Sequence, residues 1–413
     1  MRNSKKWLNV SAIILFGLIM VACSSGPAPR PQQSTLDTPM HHGMRGRDMI
    51  RQERWIEARR EFQLALGLQQ EYAPGLAGMA LLVAHSAQLP GKPTEQKNRE
   101  TQESLNYLEQ ALEAAKTDED KASVNTYGIR VRTFLQHEDW LEDAEKHYER
   151  AVDIYQNAPK LHAYLGEPEF YMAQAYQQAL NMEKASQHFR TVLELNQNFI
   201  QEANQAMVLL DKIIRAQPAS RHGKQISLNP AITRADMAAL LIEELNLAEL
   251  YQGRNPQSRD LSFKSPYKPF QNQETPVQNA TDIMDHPLRN DMETVLSLKV
   301  RGLEANPQKL FYPDQPITRA EYAVMMEDIL VRVTQDSRLS TKFVGEPSPW
   351  IDVRPDAFYY NAARTLVSRN IMEVVNKIRG EFGPEKTVNG ADALLGIRLF
   401  REELTRTMRT LEN

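Results

Sequence analysis

The chain has 413 residues, 41% hydrophobic and 25% charged, with a formal net charge of −4. This is ordinary soluble-protein composition, and the length predicts two or three domains. No basic domain and no basic stripe with interleaved aromatics is present, so nucleic acid is not a predicted partner.

The N-terminus is built differently from the rest. Arg2, Lys5 and Lys6 precede an apolar run from Trp7 to Ala22, broken only by Asn9 and Ser11. Basic, then apolar, then small residues is the layout of a secretory signal. A membrane-spanning helix is the competing reading, but the run is shorter than the ~20 residues a span needs. Cys23 is the single cysteine, so no internal disulfide can form. The stretch "MVACSS" resembles a bacterial lipoprotein box, with Met20 where leucine is usual. The resemblance implies a signal peptide over 1–22, lipidation of Cys23, and anchoring to a membrane by acyl chains. Ser24 then implies sorting to the outer membrane, facing the periplasm. Residues 23–40 are rich in Pro, Ser and Gln and read as a flexible tether. His41 and His42 read as its solvated end.

From 41 to 215 the pattern is helical. Small, bulky and small residues recur at i, i+4 and i+7: Ala58, Phe62, Ala65; Ser104, Leu108, Ala111; Ala144, Tyr148, Ala151; Ala185, Phe189, Val192. Each set is one stripe of a helix, and small residues let a neighbouring helix approach while the bulky one fills the gap. The segments "WLEDAEKHYERAV" and "MEKASQHFRTVLEL" resemble second helices of tetratricopeptide repeats, although the spacing exceeds that family's ~34 residues. An ordinary helical bundle is the alternative. The resemblance implies a concave surface that recruits a protein partner, with Tyr127, Arg130, Arg132, Tyr171 and Gln174 as candidate lining or, equally, solvated face residues.

Three helix-start signals follow. "ITRAD" (232–236), "ITRAE" (317–321) and "VNGAD" (388–392) each precede an apolar helix. Thr318 with Glu321 and Thr233 with Asp236 predict capping boxes, and Asn389 with Asp392 a third version. A cap does not require the arginine. Arg234 and Arg319 sit in the first turn, where the helix end is already partly positive. A guanidinium beside free amides predicts an anion site. "FYPDQP" and "FGPEKT" share Phe-x-Pro-acid, six residues ahead of Ile317 and Val388.

The combination resembles the S-layer homology domain, over roughly 226–409 within a domain spanning 216–413. The resemblance implies a mostly helical, pseudo-threefold domain whose grooves bind cell-wall glycan or peptidoglycan. It nominates Arg234, Arg319, Asp282, Trp350 and Asp352 as glycan contacts, with the capping residues in support. At the third unit Gly390 stands in the arginine's place. The first unit lacks an evident leading helix before "NPAITRAD", and a Pro/Gln-rich stretch at about 251–280 reads as a loop outside the core.

No HExxH, P-loop or GxSxG pattern appears, and no catalytic residue, cofactor or metal site is nominated; carboxylates converging as a glycosidase pair remain an open possibility. The expectation is an all-α, non-catalytic outer-membrane lipoprotein that binds cell-wall polymer and recruits a protein. The alternative is an assembly lipoprotein of a secretion, pilus or polysaccharide-export machine, its C-terminal domain docking protein.

Overall fold

The computed structural model describes residues 29–252 and 280–412. Cys23, the 1–22 signal and most of the 251–280 stretch lie outside the described residues. Among the described residues the chain is all-α, with no strand beyond three isolated bridges. It divides into two compact units, one holding residues up to Gln178 plus Leu195–Phe199, the other the remainder.

The N-terminal unit consists of α1 (Pro39–Arg51), α2 (Trp55–Leu68), α3 (Ala73–Ala87), α4 (Thr94–Ala114), α5 (Asp118–Leu135), α6 (Trp140–Asn157) and α7 (Gly166–Gln178). Successive helices pair, α1 with α2, α3 with α4 and α5 with α6, and each pair packs on the next. The small-bulky-small stripes make this possible. Ala58, Phe62 and Ala65 are fully buried, as are Ser104 and Ala111, with Leu108 nearly so. Phe62 is wedged between glycines: a Cβ on Gly78 would lie 2.4 Å from its ring and one on Gly46 2.7 Å. Only residues without a side chain let α1 and α3 close over that ring.

In α6 the stripe is shifted. Ala144 and Ala151 are buried as expected, but His147 rather than Tyr148 faces the facing-helix glycine, Gly128, where a Cβ would lie 2.6 Å from the imidazole. Burial pushes the His147 pKa down to about 4, so at neutral pH it packs as an uncharged ring paired with Asn125 at 2.9 Å. Tyr148 instead donates to Glu169.

The tether reading ends too late in the chain. Arg30 N donates to Gly67 O, and the Arg30 guanidinium pairs with Asp37. His42 is buried in α1, with Nδ1 2.7 Å from Glu61 and Nε2 2.8 Å from Asp37. Two carboxylates hold what composition alone reads as a solvated end.

The second unit contains α8 (Met182–Leu195), α9 (Ile200–Ala216), α10 (Arg221–Ile226), α11 (Arg234–Ala239, continued by a π-type stretch, Leu240–Glu244), α12 (Leu247–Gln252), α13 (Arg289–Ser297), α14 (Arg319–Thr334), α15 (Tyr360–Ser368) and α16 (Gly390–Glu412). The compact unit therefore begins well before the 215/216 boundary read from sequence. The reason lies in α9. The leading helices α13 and α15 pack on α11 and α14, and α9 packs on α16 in the same manner. Leu210, Val295 and Leu366 stand at the same offset before Ile232, Ile317 and Val388, and all three are fully buried. The leading helix not evident from sequence in the first unit is α9, whose own periodicity resembles the preceding repeats.

Candidate functional site: the joints between three helical units

The three helix starts meet. Ile317 N donates to Ile232 O at 2.9 Å, Val388 N to Ile317 O at 3.0 Å, and Ile232 N to Val388 O at 2.8 Å. This closed cycle makes the pseudo-threefold arrangement visible in the backbone. Ile232, Ile317 and Val388 are buried around it. The two capping boxes form as expected: Thr233 accepts from Asp236 N and Thr318 from Glu321 N, with both acidic side chains accepting from the cap amide. Asn389 accepts from Asp392 N at 2.8 Å and donates its side-chain amide to the Asp392 carboxylate.

The arginines are not open to an anion. Arg234 donates Nε to Phe311 O at 2.7 Å, Nη1 to Gly302 O at 2.5 Å and Nη2 to Glu304 O at 2.9 Å. Its guanidinium lies 4.8 Å from the Phe311 ring centre. Arg319 repeats the arrangement one unit later. Its Nε donates to Phe382 O at 2.8 Å, Nη2 donates to Glu373 O, and the guanidinium lies 4.9 Å from the Phe382 ring. Arg319 is only 7% exposed. Burial pulls both guanidinium pKa values downward, countered by nearby carboxylates, but an arginine stays charged at any ordinary pH.

The helix-start amides are occupied in the same way. Arg234 N and Ala235 N donate to Gln315 O and Pro313 O, while Arg319 N and Ala320 N donate to Lys386 O and Pro384 O. The electropositive helix end and the guanidinium do attract electron-rich oxygen, as expected. The oxygens belong to the carbonyls of the next unit's loop.

The aspartates complete each joint from the other side. Asp282 accepts from Phe311 N at 2.8 Å and Tyr312 N at 2.7 Å. Asp352 accepts from Phe382 N at 2.9 Å and Gly383 N at 2.7 Å. Trp350 is buried against Phe382, ring centres 5.0 Å apart, and is core rather than an open stacking platform. The nominated residues thus do converge, Arg234 with Asp282 and Arg319 with Asp352 and Trp350. Phe311 and Phe382, not nominated from sequence, are the hubs. Each gives its amide to the aspartate of its own unit and its carbonyl to the arginine of the preceding one. The shared Phe-x-Pro spacing was the available signal.

The third joint has no arginine because it has no room for one. Gly390 N donates to Asn229 O at 2.8 Å, and a Cβ on Gly390 would lie 1.7 Å from Ile226 O. Backbone there occupies the position where any side chain would begin. Lys212 of α9 pairs with Asp392 across the same joint at 2.6 Å.

The S-layer homology domain family matches residues 303–323. That segment holds the loop clamped by Arg234, the Phe311 hub and the start of α14. Neither curated proteins nor solved structures give a match to this chain.

Proposed function

We propose that this protein is a non-catalytic outer-membrane lipoprotein that binds cell-wall polymer, peptidoglycan or an acidic glycan, through its C-terminal three-unit domain. The observation that carries the reading is the S-layer homology match on residues 303–323, set within a closed ring of three equivalent helix starts. The lipid on Cys23 holds one end to the membrane, and the tetratricopeptide-like array recruits a protein partner. Arg234 and Arg319 serve this function by fixing neighbouring units together, not by touching the polymer. Contact falls to exposed side chains flanking the joints: Tyr312, 47% exposed beside Asp282, and Phe358, 78% exposed beyond Asp352. Their open aromatic faces suit the apolar face of a sugar ring.

The test is co-sedimentation of the full chain with purified sacculi. Wild type is expected to sediment, and the Tyr312→Ala, Phe358→Ala double variant to lose most of that binding with an unchanged thermal midpoint. Wild type left in the supernatant rejects the reading. The alternative then stands, an assembly lipoprotein whose C-terminal domain docks protein. One observation favours it: Ile351, Phe358 and Ile378 of the third unit are 76%, 78% and 98% exposed.

A further inference from the structure

Among the described residues α1 is the first helix of the array. Its buried face, His42, Gly43, Gly46 and Ile50, packs on α2 and α3. Met40, Met44, Arg47 and Arg51 follow one another at helical spacing along a different stripe. The second half of that stripe is used inside the protein: Arg47 donates to Ser123 Oγ at 3.1 Å, and Arg51 pairs with Glu167. The first half is open. Met40 is 57% exposed and Met44 54%, and Leu36, in the turn that leads into the helix, is 66% exposed. The terminal helix of a stacked array is ordinarily polar where it meets water. Here it presents large apolar side chains instead.

The chain also sets where this end of the array sits. Arg30 is fixed to the array, its N–H donating to Gly67 O at 2.8 Å and its guanidinium held by Asp37 at 2.7 Å. Asp37 in turn meets His42 of α1 at 2.8 Å. Arg30 stands seven positions after Cys23, and that length of chain reaches at most ~25 Å. An acyl group on Cys23 therefore keeps the start of α1 within that distance of a bilayer surface. α2 returns along α1, with Glu61 beside His42, so Gly67 and Met40 lie at one end of the pair and the exposed Ile56 at the other. Carboxylates stand near the Met40 end. Tyr72 crosses Gly43, where a Cβ would lie 2.8 Å from its ring. Burial pushes the Tyr72 hydroxyl up to about 12, and Asp120 and Glu119 add to the rise. Acidic side chains at that end disfavour an anionic surface.

We infer that Leu36, Met40 and Met44 form a membrane-contact face that enters the headgroup boundary of a zwitterionic lipid surface and so fixes how the array stands on the membrane. The inference rests on the reading that Cys23 is lipidated, and it assigns the surface that the anchored chain sets against the bilayer. Apolar faces of interfacial helices enter that boundary by ~5–10 Å, a depth that side chains of this length span. Unbranched methionine adapts to an irregular surface such as packed acyl chains. A bilayer is favoured over a peptide or a second copy of the chain because the anchor makes its encounter with this face intramolecular. Other occupants must arrive by diffusion at their own concentration.

The test uses the lipidated full chain in vesicles of phosphatidylethanolamine and phosphatidylcholine. Cys23 is the only cysteine, and lipid on its sulfur blocks that thiol. Met40→Cys, Met44→Cys or Ile56→Cys then supplies the one site for a nitrobenzoxadiazole label. Brominated lipid is expected to quench labels at positions 40 and 44 about threefold more than one at 56, which is 84% exposed but at the far end of the pair. Met40→Glu in the Met44→Cys chain should remove most of that quenching, and Met40→Leu should keep it. Both side chains are exposed, so neither change disturbs the core. Equal quenching at all three positions, or no effect of Met40→Glu, overturns the inference. Stronger quenching when phosphatidylglycerol is added overturns the assignment to a zwitterionic surface. Mass spectrometry of the same preparation separates the two levels. Acyl chains present with the labels at 40 and 44 unquenched reject the face and leave the anchor standing. A free Cys23 thiol rejects the anchor, and the face falls with it.

Discussion

Both units lay arginines on aromatic rings, but with opposite outcomes. In the C-terminal unit, Arg234 on Phe311 and Arg319 on Phe382 point their donors at backbone carbonyls of the adjoining loop. In the N-terminal unit, Arg130 lies over Tyr171 and Arg51 over Phe199, and Arg51 also pairs with the buried Glu167 carboxylate. The same residue pair fastens a neighbouring loop where carbonyl oxygens surround it and makes no such clamp where they do not. The difference is the supply of acceptors. A loop whose backbone is not in a helix has carbonyls to offer, and helix-lined walls have theirs committed to their own ladders.

The sharpest way to break this comparison is at the joint without an arginine. Gly390→Ala places a Cβ within 1.7 Å of Ile226 O, and backbone cannot yield as a side chain can. A loss of about 4 kcal/mol or more is expected, at the upper end for single substitutions. Calorimetry should show the C-terminal unit's transition collapse while the N-terminal unit's persists. Equal loss in both would show that the two units do not unfold separately.

Next in size is the fastener itself. Arg319→Gln removes donors to Phe382 O and Glu373 O and uncovers the Phe382 ring. The expected cost is about 3 kcal/mol, from buried carbonyls left without partners. Arg319→Lys should recover only part of it, because an ammonium cannot serve two separated carbonyls as a fork does. Chemical denaturation measures both. In the array the corresponding substitution, Arg130→Gln, removes no such bond and should leave stability nearly unchanged.

The smallest effect is a pH dependence confined to the array. The folded-state pKa of His147 is about 4, lowered by burial, against about 6.5 in an unfolded chain. Between those values the unfolded state binds more protons, so stability rises with pH through the window and is lost as pH falls below about 6.5. From pH 7 to pH 5 the loss is about 2 kcal/mol. His147→Asn should flatten that slope in urea titrations of the array, and an unchanged slope would reject the assignment. Among the described residues the second unit holds no buried histidine, so its transition should carry no histidine step over the same range.

Much of the fold was legible because its signals are local. A capping box spans three residues, and a stripe of small and bulky residues spans two turns. Both were read correctly at Thr233, Thr318 and Asn389, and at Ala58, Phe62 and Ala65. The α6 stripe was misread by one position, since Tyr148 and His147 lie on adjacent faces and only the facing Gly128 selects between them. The first unit's leading helix was missed for a related reason: α9 has the same apolar period as the array before it, and periodicity does not say which neighbour a helix will bury against.

Local chemistry by itself settled where helices begin, which faces are apolar, and that arginines stand at two of three equivalent starts. Only the folded chain decided what those arginines hold. Their acceptors lie 54 to 77 residues away in sequence, and the ring that joins Ile232, Ile317 and Val388 exists only once all three helix starts converge. A charge in a sequence declares what it would attract, and the packing of distant segments determines whether backbone oxygen reaches it before any ligand can.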